Sequence, residues 1–187
     1  MDTWVWIVIA IVAIVVVAGI VWSAVSSRRR SRLQEGFGPE YDRVVEDAPS
    51  RRQAESELRE RQARREEFDI RPLPAASRDR YQRSWEAAQA RFVDDPEGAV
   101  GEADSLIQSV MRERGYPVDD FDQRSADLSV DHPDVVEHYR EGHSLATRRD
   151  DGGDRTEAQR QAMVHYRVLF EELLVAEDAG DRMGTSR

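Results

Sequence analysis

Residues 95–117 read DPEGAVGEADSLIQSVMRERGYP, and the stretch carries every signal of one helix, from start to stop. Asp95 offers a carboxylate to the free N–H groups of a first turn, and Pro96 sits at N1, where its missing N–H costs nothing. Val100, Ala103, Ile107, Val110 and Met111 recur at three- and four-residue spacing, which puts them on one face. Gly115 suits the left-handed residue that follows a helix, and Pro117 prevents any continuation. A helix with one apolar face must bury it, so the chain needs further helices of the same kind.

They lie on both sides. Arg71-Pro72-Leu73-Pro74 breaks the chain, and beyond it Tyr81, Trp85, Ala88 and Phe92 share a helical face. After Pro117, the segment 118–130 predicts a short helix carrying Phe121, Leu128 and Val130. Asp131 then caps a helix with Pro133 just inside it, bearing Val135, Val136, Tyr139 and Ala146. Asp150 to Asp154, with Gly152 and Gly153, reads as a loop, and Thr156 as the next cap. Met163, Tyr166, Leu169, Phe170, Leu173 and Leu174 form the most apolar stripe of all. No window shows strand alternation. The expectation is an all-α chain whose residues 75–175 form a small bundle of about four helices, followed by a tail over 176–187.

Upstream the composition changes twice. Residues 51–67, RRQAESELRERQARREE, pair Glu55/Arg59, Glu57/Arg61 and Glu60/Arg64 at i, i+4 with Ser50 as N-cap, and predict a charged, solvated spacer helix. Residues 23–74 as a whole read as a basic juxtamembrane segment and that spacer. Ahead of them, Trp4 to Trp22 holds 19 residues without a charge, 12 of them Val or Ile. At 1.5 Å per residue such a run spans about 28 Å, close to a hydrocarbon core of roughly 30 Å, so residues 4–22 are expected to be one transmembrane helix. Trp4, Trp6 and Trp22 would mark its interfaces, and Arg28, Arg29, Arg30 and Arg32 would contact anionic headgroups. The arginines lie only on the C-terminal flank. By the positive-inside rule the chain is a single-pass protein of a bacterial plasma membrane, with its N-terminus outside and its soluble domain in the cytoplasm. A cleaved signal peptide fits less well, because the chain starts Met-Asp-Thr and lacks a basic n-region.

Composition narrows the chemistry. The chain has no cysteine, which removes disulfide frameworks, thiolate metal sites and cysteine nucleophiles. All 27 basic residues are arginine, so there is no lysine for a Schiff base or a P-loop. From Gln34 onward 36 acids stand against 23 arginines, a balance of −13 that repels phosphates and argues against nucleic acid. The excess concentrates in residues 94–137, where 13 acids face three arginines. That surface suits a basic protein partner; an apolar groove between helices would suit an apolar one.

Several words in the chain are more specific than its periodicity. The runs Gln89-Ala90-Arg91-Phe92-Val93-Asp94, Arg114-Gly115-Tyr116-Pro117 and Asp127-Leu128-Ser129-Val130-Asp131-His132-Pro133 resemble a family of uncharacterised bacterial proteins with an N-terminal membrane anchor, several from actinobacteria. The resemblance covers roughly residues 70–174 and implies no activity, so it implies no catalytic residue. His138 and His143 are five apart and do not make an HExxH pair, and the aspartates at 119, 120, 122 and 127 lack EF-hand spacing. No serine lies in a nucleophile elbow. The expectation is therefore no catalytic residue, no cofactor and no metal. The function expected is a membrane-anchored, non-enzymatic interaction or tethering module. Two alternatives stand beside it: a ligand-binding or enzymatic bundle with a pocket at Asp131, His132, Tyr139, Arg140 and His143, and an accessory subunit of a membrane complex.

Overall fold

The computed structural model describes residues 3–148 and 155–175. Among these residues there are helices and no strand. In chain order they are α1 (Thr3–Phe37), α2 (Pro39–Asp47), α3 (Arg51–Glu66), α4 (Ala75–Arg91), α5 (Pro96–Arg114), α6 (Phe121–Asp131), α7 (Val136–Thr147) and α8 (Arg155–Val175). The chain divides into two compact units, Met1–Leu58 and Arg59–Arg187, with the boundary inside α3.

The first unit corrects the expected membrane span. Among the described residues no helix is long and apolar enough to cross a membrane. The stretch expected to end at Trp22 does not end there: α1 turns without a break through Arg28, Arg29, Arg30 and Arg32 and stops at Phe37. Its last two turns are charged on one side and buried at Leu33 and Phe37. The side chains of Trp6 and Trp22 lie outside the described residues. Trp4, Arg28, Arg29 and Arg32 are exposed, and Arg30 turns instead toward the Tyr41 hydroxyl. Gly38 follows α1 at a φ of 46°, a left-handed turn that lets Pro39 start α2. α2 buries Tyr41 and Val44, and the Tyr41 hydroxyl donates to Glu55 of α3 at 3.2 Å.

In the second unit the helical stripes find each other. α8 packs on α5 and on α7, and α5 packs on α4. Their shared core holds Trp85, Ile107, Met111, Leu128, Tyr139, Tyr166, Leu169 and Phe170. The rings of Trp85 and Phe170 stack with centroids 4.5 Å apart, tying α4 to α8. Among the described residues of 75–175 there are five helices, against the expected four or so, and the short helix expected over 118–130 is α6.

The caps of α5 follow the sequence. The Asp95 carboxylate accepts from the Gly98 N–H at 2.9 Å, and Gly115 takes a φ of 100°. Gly115 is needed twice over, since a Cβ there would lie 2.2 Å from the Asp69 carbonyl oxygen. Asp131 and Thr156 do not cap. α6 runs through Asp131, α7 starts only at Val136 after an N-cap without a side-chain bond, and Thr156 lies inside α8. The expected loop around Asp150 to Asp154 falls on 149–154, and the expected tail on 176–187, both outside the described residues.

The charged spacer is also more than a spacer. Its C-terminal turns reach α6: Arg61 donates to the Ser129 hydroxyl at 3.0 Å, and Arg64 to Asp127 at 3.0 Å and Asp119 at 2.8 Å. Arg65 donates to Asp131. Asp127 is buried, so the end of α3 is pinned to the bundle by charge rather than by an apolar face.

Candidate functional site

The residues first grouped as a pocket separate into distinct settings. Asp131 and His132 close α6. Asp131 accepts from the Tyr116 hydroxyl at 2.5 Å as well as from Arg65. The Tyr116 hydroxyl lies 3.4 Å from His132 Nε2, and His132 Nδ1 lies 3.3 Å from a Glu172 oxygen on α8. Beneath them the buried Arg114 guanidinium donates to the Leu173 carbonyl at 2.9 Å, satisfying one of the open acceptors at the end of α8. The distinctive words of the sequence thus meet here: Arg114 and Tyr116 from one, Asp127, Ser129, Asp131 and His132 from the other. Burial, and then the neighbouring Arg114 charge, push the His132 imidazole below its usual range.

Tyr139 and His143 sit elsewhere, on α7 over Phe121. His143 stacks on the Phe121 ring at 3.7 Å between centroids, and Tyr139 meets the same ring at 5.0 Å and Tyr166 at 6.0 Å. The Tyr139 hydroxyl donates to Asp104 at 3.3 Å, and Gln108 donates to the other Asp104 oxygen at 2.6 Å. Arg124, buried although charged, lies against this group, and its Nε has no partner among the described residues. Burial first, and Asp104 second, push the hydroxyls of Tyr139 and Tyr166 above the ordinary phenol range, and burial does the same to Tyr116 with Asp131 second. Arg140 pairs with Glu137 one turn back, at 3.2 Å.

These shifts have a testable sign. The unfolded chain loses its phenol protons near pH 10, whereas the folded chain keeps them on Tyr116, Tyr139 and Tyr166. Their contribution to stability is complete below about pH 10 and is lost as pH rises beyond it. In an alkaline titration three of the five tyrosines should give no phenolate absorbance until circular dichroism reports unfolding. Five tyrosines ionising smoothly near pH 10, in a chain that keeps its helices, would contradict this packing.

The acidic excess of 94–137 is largely compensated. Of its 13 acids, eight face an arginine: Asp95 and Glu102 face Arg91, Glu97 faces Arg155, Glu113 faces Arg80, Asp119 and Asp127 face Arg64, Asp131 faces Arg65 and Glu137 faces Arg140. All eight draw their partner from outside the segment, and seven of them from an arginine on a different helix, Glu137 alone pairing within its own. Sequence counting could not see this, because a net charge carries no information about neighbours.

A concave surface does exist, at a place the sequence did not single out. Between the end of α4 and the outer side of α8 lies a groove of ≈ 290 Å³ lined by Gln89, Phe92, Arg160, Met163, Val164 and Arg167. Its floor is apolar and its rim carries two guanidinium groups. The lining offers no carboxylate, imidazole or hydroxyl, so nothing in it can act as nucleophile or general base. The only hint in the sequence was Val164, an apolar residue off the buried stripe of α8, which is half exposed at 48%. No protein-family model matches the chain, and neither a curated protein nor a solved structure does.

Proposed function

We propose that the α4–α8 bundle is a non-enzymatic binding module that takes up a short acidic segment of a partner protein, anchored by an apolar side chain in the groove between Phe92 and Met163. The observation that supports this is the groove itself. At ≈ 290 Å³ it stands at the lower edge of the roughly 300–1,000 Å³ usual for small-molecule sites and has room for one or two side chains of a peptide. Its rim selects the charge of the flanking residues. Among the described residues Arg160 and Arg167 are held by Glu157 and Glu171 on their own helix, at 2.7 and 2.6 Å, and all four side chains are more than half exposed. Exposed pairs of this kind contribute about 0.2–1 kcal/mol each, so either guanidinium can turn to a partner's carboxylate at small cost. The polar clusters at Asp131 and at Tyr139, by contrast, spend their hydrogen bonds inside the bundle.

A photoreactive benzoylphenylalanine at Val164 tests the proposal in cells. It should give a discrete adduct whose cross-linked peptide contains an apolar residue flanked by Asp or Glu. The adduct should disappear in the Arg160→Glu/Arg167→Glu variant. The same probe at exposed Ser105 on α5 should give none. An adduct with a second copy of the chain, one indifferent to the charge reversal, or none at all would overturn it.

A further inference from the structure

α1 leaves one side apolar and open. Ile14, Val16, Val17, Ile20 and Val21 are each more than half exposed. At about 100° per residue they fall within an arc of about 160°. The buried Leu33 and Phe37 lie on the opposite side of the same helix. Ala18, Gly19 and Ser23, exposed outside the arc, are small and add little apolar area. Five large aliphatic side chains gathered on one side and left in water mark a surface that meets either another chain or lipid.

Charge decides between the two. Residues 3–34 hold four arginines and no acid, the reverse of the chain from Gln34 onward, where 36 acids stand against 23 arginines. Arg28, Arg29 and Arg32 are exposed, while Arg30 is drawn toward the Tyr41 hydroxyl. Arg28 and Arg32 fall on the same side of α1 as the aliphatic arc and prolong it. Aliphatic surface followed by guanidinium groups along one helix side repeats the layering of an anionic leaflet, acyl chains and then phosphates. A second copy of the chain fits less well, since a parallel pair of α1 helices would set Arg28 against Arg28, and like charges repel.

We propose that the first unit binds the surface of an anionic phospholipid bilayer through α1. The exposed side from Ile14 to Val21 enters the acyl region of the near leaflet, and Arg28, Arg29 and Arg32 meet its phosphates. The contact involves a single leaflet and needs no span across the membrane.

Vesicles added to the intact chain test this. Large unilamellar vesicles of phosphatidylglycerol and phosphatidylcholine in equal parts should carry the protein into the pellet, and less of it as salt is raised. Arg28→Gln/Arg29→Gln/Arg32→Gln should weaken binding about fivefold per arginine, roughly 100-fold in all. Val17→Asp/Val21→Asp should abolish it. All five positions are exposed, so both variants should keep the helical signal. The chain has no cysteine, so Val17→Cys can carry a single environment-sensitive fluorophore. Its emission should shift to the blue on these vesicles, and the same label at exposed Ser105 should not shift. Protein left in the supernatant, or an arginine variant that binds as tightly as the wild type, would overturn the proposal. So would a blue shift at Val17 that grows with protein concentration in the absence of vesicles, which would place a second copy on α1.

Discussion

Asp131→Ala should be among the most damaging single substitutions in the bundle, lowering stability by about 2–4 kcal/mol. The carboxylate is the common acceptor for a guanidinium from α3 and a phenol from the loop after α5. Its side chain is 13% exposed and that of Arg65 20% exposed, so water replaces little of what is lost. Removing it strands the Arg65 charge and leaves the Tyr116 hydroxyl, itself on a residue only 3% exposed, with His132 as its remaining neighbour. Both groups then carry their desolvation cost without compensation. Asp131→Asn keeps the shape and one acceptor but not the charge, and should lose roughly half as much. Urea unfolding measures both. The comparison that decides the mechanism is a double-mutant cycle with Arg65→Ala: a coupling of about 1–3 kcal/mol is expected for groups that touch. Replacing Arg167, whose partner Glu171 is equally exposed, should change stability by less than about 0.5 kcal/mol. An Asp131→Ala protein as stable as the wild type would show that the end of α3 does not depend on this ion pair.

What could be read in the sequence separates cleanly by range. The caps of α5 are local devices: Asp95 serves an N–H three residues away, and Gly115 serves its own φ. They were legible because nothing distant competes for them. Asp131 carries a cap signal of the same kind, yet its carboxylate is taken by Tyr116, 15 residues before it, and by Arg65, 66 residues before it. A tertiary partner outbid the local one, and α7 begins without a side-chain cap. The same limit hid the role of α3. Its apolar face is narrow, so periodicity described a solvated helix, while Arg61, Arg64 and Arg65 bond residues 55 to 68 positions downstream. The proposed pocket at Asp131, His132, Tyr139, Arg140 and His143 grouped residues by proximity in sequence. In space the first pair belongs with Tyr116 and Glu172, and Tyr139 and His143 belong with Phe121. The facing of His138 and His165 was equally invisible, since 27 residues separate them. At the N-terminal end, composition alone drew a span bounded at Trp22, whereas the backbone carries one helix on to Phe37.

Gly142→Ala should destabilise the bundle by about 1–2 kcal/mol, against the direction that helix propensity sets. In an isolated helix the change would stabilise by about 1 kcal/mol, because glycine has the larger conformational entropy to lose. Here the added methyl would lie 2.7 and 2.8 Å from two atoms of the Tyr166 ring. That ring cannot step aside: Tyr166 is 1% exposed, and Tyr139 packs against it. Separating α7 from α8 is the remaining relief, and overpacking of a close-packed core costs about 1–3 kcal/mol, enough to reverse the propensity gain. Gly142→Val adds two more carbons at the same place and should cost more still, unfolding α7 locally. Amide hydrogen exchange would detect this as loss of protection over Val136–Thr147 before any loss in α4 or α5. The two ends of the prediction can be separated. If Gly142→Ala melts higher than the wild type, the helices have room to spare and glycine is not the spacer between them. If it melts lower, glycine is the spacer that lets α7 approach the Tyr166 ring of α8.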